Sequence, residues 1–337
     1  MQISLAQRFL TVLCLLSTTS LPAAAQDIHA ANKALGRGVN LGNALEAPKE
    51  GDWGMKIEAE FFPLIKQAGF DHVRLPVKWT SHTAKTEPFA IEPPFFERID
   101  ALLKQAEESK LRVVLNHHHY EELDKNPKGE LPRAVAIWKQ IAARYKDRGD
   151  WLYFELMNEP HEELNKDNAW TALIPPLLAA VRETNPTRPV IIGPPFWNGM
   201  WALNKFKLPD DKNLIVTVHY YNPFKFTHQG AHWVKDSQPW IGTKWTGDEK
   251  ELAEITKEFD GTAAWAKEHS RPIYLGEFGA FSKADDDSRA RWTRAITTEA
   301  EKRGWSWAYW EFGAGFGVYD REQKAWRESL KDALLKR

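Results

Sequence analysis

Two glutamates in this 337-residue chain each close a short apolar run. Glu159 follows Leu152-Tyr153-Phe154-Glu155-Leu156-Met157-Asn158, and Glu277 follows Ile273-Tyr274-Leu275-Gly276. Two carboxyls facing each other across a cleft are what cleavage of a glycosidic bond requires. One protonates the departing oxygen, and the other attacks the anomeric carbon or activates a water. The plainer alternative is two solvated glutamates at strand ends.

In an extended run the side chains at i, i+2 and i+4 share a face. That places Glu155, Met157 and Glu159 together, and Ile273, Leu275 and Glu277 together. If those faces look inward, Glu155 is a buried acid beneath the site and needs a partner. Arg74, in Val73-Arg74-Leu75-Pro76, is the candidate. It could also sit beside Glu277 and hold that carboxylate ionised; the alternative is a purely structural ion pair. His219 and Tyr221 share a face, and a tyrosine hydroxyl aimed at a carboxylate would orient it. Ser306, Ala308 and Trp310 share another, which suits a stacking floor for a sugar ring, with Trp305, Trp307 and Tyr309 turned toward helices. A core role is the competing reading for His219 and for Trp310. The triplet His117-His118-His119 raises metal catalysis. Such a site needs further His or Asp ligands on other strands, and the run Pro189-Val190-Ile191-Ile192 offers none. Neither a metal nor another cofactor is therefore expected.

Something must hold these groups at one place. Strand-like runs are read near residues 38–41, 72–77, 112–117, 152–157, 189–192, 214–220, 272–276 and 306–310. Amphipathic helical stretches lie between them, at 57–67, 95–109, 131–145, 250–267 and 288–303 among others. Eight strands alternating with helices predict a parallel sheet closed into a (β/α)8 barrel, an α/β fold in a single domain over residues 26–337. Active sites of such barrels lie at the C-terminal ends of the strands. The polar and ionisable residues of this chain gather at those ends.

Composition narrows the rest. Arg8 is the only charge in the first 25 residues, an apolar run covers 9–16, and Ala23-Ala24-Ala25 follows. This reads as a secretory signal cleaved after Ala25, so a secreted or periplasmic protein without a membrane span is expected. The single cysteine, Cys14, lies in that segment. Disulfides and thiol catalysis are thereby excluded from the remainder. The formal charge of −1 argues against nucleic acid or another polyanion as a partner. The 16 tryptophans exceed what a core needs, and some suit stacking on sugar rings. A monomer acting on a β-linked polysaccharide is the expectation.

The runs Val73-Arg74-Leu75-Pro76, residues 116–123 (NHHHYEEL), Glu155-Leu156-Met157-Asn158-Glu159-Pro160, His219-Tyr220-Tyr221-Asn222-Pro223-Phe224 and Gly276-Glu277-Phe278-Gly279 together resemble glycoside hydrolase family five. The resemblance runs from about residue 36 to the C-terminus. Residues 40–46 and 226–230 are similar to a bacterial branch of endo-β-1,4-glucanases, some of which also cleave mannans. The resemblance implies Glu159 as acid/base, Glu277 as nucleophile and Asn158 as the ligand of the sugar 2-hydroxyl. Arg74 and Tyr221 would position Glu277, and His219 would sit beside the acid/base. His118 and His119 would bind sugar hydroxyls, and Trp310 would stack under the sugar on the nonreducing side. Asn43, Glu46 and Trp233 match positions lining the cleft. His117 departs from the pattern, where an aliphatic residue is usual. A retaining endo-β-1,4-glucanase is thus implied, with an endo-mannanase or dual glucanase/mannanase as the alternative. An exo-acting enzyme and a catalytically silent polysaccharide binder are the remaining readings.

Overall fold

A computed structural model describes residues 27–336; the segment read as a secretory signal, with its expected cleavage point, lies outside the described residues. Eight parallel strands form the centre: β1 (Arg37–Asn40), β2 (His72–Leu75), β3 (Arg112–Asn116), β4 (Leu152–Glu155), β5 (Val190–Ile192), β6 (Leu214–His219), β7 (Ile273–Glu277) and β8 (Ser306–Tyr309). Each pairs with the next, and β8 pairs back with β1, so the barrel is closed, as expected of the alternating pattern. Among the described residues no helix is long and apolar enough to cross a membrane.

The helices between strands form where the apolar period is 3.6 and the ends are capped. In Pro93–Glu108 the prolines occupy the first turn, where no N–H is lost, and Phe95, Phe96, Ile99, Leu102, Leu103 and Ala106 make the buried stripe. In Glu249–Glu268 the Asp248 side chain accepts from the Glu251 N–H while Glu251 reaches back to the Asp248 N–H. The segment Ala169–Arg182 is helical despite Pro175 and Pro176. Trp170, Leu173, Ile174, Leu177, Leu178 and Val181 bury one face of it, and that burial outweighs two lost hydrogen bonds.

Apolar side chains pack in two layers. The larger lies between strands and helices. The smaller fills the barrel's inside with Val114, Tyr153, Ile191, Ile215, Tyr274 and Ala308, closed off by Ile28, Ala31 and Leu35 of the helix Ile28–Leu35. That helix plugs the N-terminal mouth through neutral bonds. Asn32 Nδ2 donates to the Ile273 carbonyl at 2.9 Å, Ser306 Oγ to Asn32 Oδ1 at 2.7 Å, and the Tyr153 hydroxyl to the Ala31 carbonyl at 2.9 Å.

Strand alternation predicts the inward faces of β6 and β8, and of β4 as far as Tyr153 and Glu155; Met157, beyond the end of β4, joins the outer layer instead of sharing a face with Glu155, and β7 departs as well. Ile273 and Leu275 pack in the outer layer, while Tyr274 lies inside. Strict alternation would therefore turn Glu277 outward. The pairing with β6 steps from Val218–Leu275 to His219–Glu277, which leaves Gly276 as one extra residue. This bulge resets the alternation and turns Glu277 back toward the cleft. Only glycine fits at the bulge: a Cβ on residue 276 would lie 2.5 Å from Thr217 Oγ1.

Candidate active site

Most strands leave the ladder earlier than the apolar runs suggest. β2, β3, β4 and β8 stop at Leu75, Asn116, Glu155 and Tyr309; Arg74 stays within β2, while His118 and His119, Asn158 and Glu159, and Trp310 follow the other three on short irregular stretches. Glu159 (φ 45°) and His119 (φ 39°) adopt left-handed backbone conformations there. Such conformations cost free energy in non-glycine residues and cluster at functional sites.

Arg74 is the centre of the arrangement and is fully buried. Its Nε and Nη2 donate to the two oxygens of the equally buried Glu155, at 2.7 and 2.8 Å. Nη1 donates to Glu277 Oε1 at 2.7 Å and to Asn40 Oδ1 at 2.9 Å. Nη2 also donates to Asn158 Oδ1 at 2.7 Å. Burial disfavours the guanidinium charge, but Glu155 and Glu277 outweigh it and hold Arg74 well above the ordinary range. One cation thus satisfies the acid beneath the site, orients one of the two facing carboxyls, and turns the Asn158 amide so that its NH2 remains as a donor.

The two carboxyls have different surroundings. Glu277 accepts from the Tyr221 hydroxyl at 2.9 Å as well as from Arg74, and its side chain is 5% exposed. Burial raises its proton affinity above the ordinary carboxylate value, and Arg74 opposes that rise. Glu159 touches no cation directly. Its side chain is 25% exposed, and its Oε1 meets His219 Nδ1 at 2.7 Å. Burial pushes its carboxyl up to about 7, against the pull of Arg74. His219 is itself pushed down to about 4 by burial and stays neutral at neutral pH. Tyr221 is driven well above its usual range by burial and by Glu277, so it remains a donor.

The rest of the expected set surrounds this centre. His118 is buried, its Nδ1 2.9 Å from Asn116 Oδ1, and its ring stacks on Trp310 at 5.7 Å and 9°. His119 lies edge-on to Trp53 at 5.8 Å. Burial lowers the proton affinity of both histidines, that of His119 to about 4. His117 turns instead onto Tyr120, ring centroids 5.0 Å apart, and is buried. Trp233 is exposed and meets His228 and Phe281 edge-on. Glu46 is buried: its oxygens accept from the backbone N–H groups of Asn43 and Ala44, so it holds its own loop. Burial raises it to about 8. Asn43 stands at the turn of that loop with φ 62°.

Among the described residues, Glu159, His219 and Glu277 are the acids and histidines close enough to share an ion, with one ligand atom from each within 4.8 Å of the others. The histidine triplet forms no such group. Asn40, Asn198 and Glu311 escape the motif-based reading. Asn40 supports Arg74; Glu311 accepts from the N–H groups of Gly313, Ala314 and Phe316 and shapes the loop after Trp310. Their signal, a buried polar residue at a strand end, was visible for Asn40 alone.

A family model described as Cellulase (glycosyl hydrolase family 5) matches residues 32–315. The chain belongs to glycosyl hydrolase family 5. It is 35% identical to Endoglucanase H of Acetivibrio thermocellus across 89% of its own length, and spans only a third of that relative. Crystal structures of Thermotoga maritima Cel5A, one with mannotriose and one with cellobiose, superpose with a TM-score of 0.90 at 49% identity, over 92% of this chain and all of theirs. The cellulose synthase subunit Z of Clostridioides difficile superposes with a TM-score of 0.87 at 39% identity, over 90% of this chain and all of that one.

Proposed function

We propose that this protein is a retaining endo-β-1,4-glucanase, with Glu277 as nucleophile and Glu159 as acid/base. The carrying observation is the close, unequal pair of carboxyls. Oxygens of Glu159 and Glu277 come within 4.8 Å of each other. Retaining glycosidases hold their carboxyls about 5–5.5 Å apart, whereas inverting ones leave about 6.5–9.5 Å for a water. The inequality assigns the roles. Glu277, against Arg74 and Tyr221, is the carboxylate suited to attack the anomeric carbon. Glu159, with its proton affinity raised to about 7, can hold a proton for the leaving oxygen and then take one from water.

Trp53, beside His119, and Trp197 and Trp233 are exposed aromatic faces that suit stacking on further sugar rings, which supports binding within a chain and hence endo action. The substrate class is a soluble or amorphous β-1,4-glucan, cellulose-type or mixed-linkage, in keeping with the endoglucanase relatives. Export by the segment preceding residue 26, and action as a monomer, belong to the same proposal.

The test is hydrolysis of carboxymethyl-cellulose, barley β-glucan, glucomannan and mannan, with the first-formed anomer read by proton NMR. The β-anomer and a rapid viscosity drop on the glucans are expected. An α-anomer would leave Glu277 as a general base. A slow viscosity drop relative to reducing-end release would mean exo action. A higher kcat/KM on mannan than on the glucans would give the enzyme to the mannanase alternative.

A further inference from the structure

Asn198 lies in the loop after β5 and is completely buried. Phe196, Trp197 and Asn198 all have left-handed backbones, φ 60°, 55° and 54°. Asparagine tolerates that conformation better than most residues. The result is a fixed contact with His219. The Asn198 carbonyl accepts the His219 N–H at 2.9 Å, and Asn198 Nδ2 faces His219 Nε2 at 3.4 Å. Two glycines make the fit. A Cβ at Gly193 would lie 2.3 Å from Asn198 Oδ1, and one at Gly276 would lie 3.0 Å from His219 Nε2.

The amide nitrogen carries only hydrogens toward the ring. With the amide placed this way, its Oδ1 packed toward Gly193 without a hydrogen-bond partner, a neutral imidazole keeps its lone pair on Nε2 and its proton on Nδ1. Nδ1 is the atom 2.7 Å from Glu159 Oε1. We propose that Asn198 is a positioning residue: by fixing the His219 tautomer with the proton on Nδ1, it makes Glu159 Oε1 a permanent acceptor and leaves Oε2 to carry the catalytic proton.

This inference rests on Glu159 being the acid/base. In the first step the Oε2 proton passes to the glycosidic oxygen as the bond from that oxygen to the anomeric carbon breaks. The bonding electrons leave with the oxygen, and Glu277 forms the new bond to carbon. In the second step a water attacks that carbon, its proton returns to Oε2, and the bond to Glu277 breaks. Oε1 accepts from Nδ1–H throughout. With the opposite tautomer, protonated Glu159 would aim its O–H at Nδ1, away from the leaving group. The charged and titratable groups around Glu159 are Arg74 from β2, Glu155 at the end of β4, His161 beside it, His219 from β6, Tyr221 just beyond it and Glu277 from β7; all remain when Asn198 is changed.

The decisive variant is Asn198→Gly, which accepts the left-handed backbone without strain. Asn198→Asp keeps the size and shape, and its carboxylate draws a proton onto Nε2. Nitrogen-15 shifts of the His219 ring, assigned by comparison with His219→Gln, should show Nδ1–H in the wild type and added Nε2–H in Asn198→Asp. For both variants kcat/KM on a phenyl β-cellobioside should fall about tenfold or more, the scale of impaired acid catalysis. On the 2,4-dinitrophenyl analogue, whose leaving group needs little acid, it should fall less than about threefold. Equal losses on both substrates, or an Nε2–H tautomer in the wild type, overturn the inference. Glu159→Ala run beside them separates the two claims. If it shows no leaving-group dependence, the acid/base reading itself fails. If it does and the Asn198 variants do not, only the role of Asn198 falls.

Discussion

The two ends of the barrel solve the same problem in opposite ways. Each must bury polar groups among apolar strands. At the N-terminal end His72 is held by the Leu35 carbonyl at 2.7 Å and by the Tyr274 hydroxyl at 3.0 Å, and burial pushes its proton affinity down to about 3. With Asn32, Ser306 and Tyr153 it forms a set that is neutral at ordinary pH. At the C-terminal end Arg74, Glu155 and Glu277 are buried and joined as ion pairs. Neutral bonds suffice where only a lid is needed. Buried charge is costly unless paired, and the pairing of Arg74 with Glu155 and Glu277 holds the Glu277 carboxyl in place.

The sharpest way to test this contrast is at the charged end. Glu277→Ala should lower kcat by about 10⁴-fold or more, the scale seen when a nucleophile is removed, with little change in melting temperature. A folded variant retaining a tenth of the activity would remove Glu277 from the chemistry. Next comes Arg74→Met, which leaves Glu155 without its partner. A loss of about 3–5 kcal/mol in stability is expected for breaking such a pair, together with a loss of activity. The double variant Arg74→Met/Glu155→Leu should recover stability in urea titration without recovering turnover. Recovery of both would make the arginine merely structural.

Protonation gives a smaller effect with a definite sign. In the proposed mechanism Glu159 is protonated when the leaving oxygen departs, and its carboxyl is held up to about 7. The rate should therefore fall as the pH rises through about 7, and fall again at acid pH where the Glu277 carboxylate takes up a proton. This alkaline limb in kcat/KM should vanish in Glu159→Ala on a dinitrophenyl substrate. A limb that persists there belongs to another group. The least effect belongs to the neutral end. Tyr153→Phe removes one hydrogen bond to the Ala31 carbonyl and should cost about 0.5–1.5 kcal/mol, with kcat/KM unchanged. A drop in kcat/KM would couple the two ends and dissolve the contrast.

Much of this was legible in the chain itself, because alternating strand and helix periods, and polar residues that recur where apolar runs stop, are local patterns. They were enough for the eight-stranded barrel, for the placement of both glutamates at its C-terminal end and for Arg74 as the partner of Glu155 and Glu277. The tertiary structure decided the rest. Glu277 reaches the cleft through a bulge at Gly276, which appears only when β7 is paired against β6. Glu46 reads as a cleft acid but folds onto the N–H groups of Asn43 and Ala44, since burial rewards satisfying its oxygens. Asn198 stands in no motif, and its contact with His219 exists only once the loop after β5 lies against the end of β6. Local periodicity selects which residues arrive at the mouth of the barrel. Which atoms meet there depends on strand register and loop packing between segments far apart in the chain, and no local pattern carries that information.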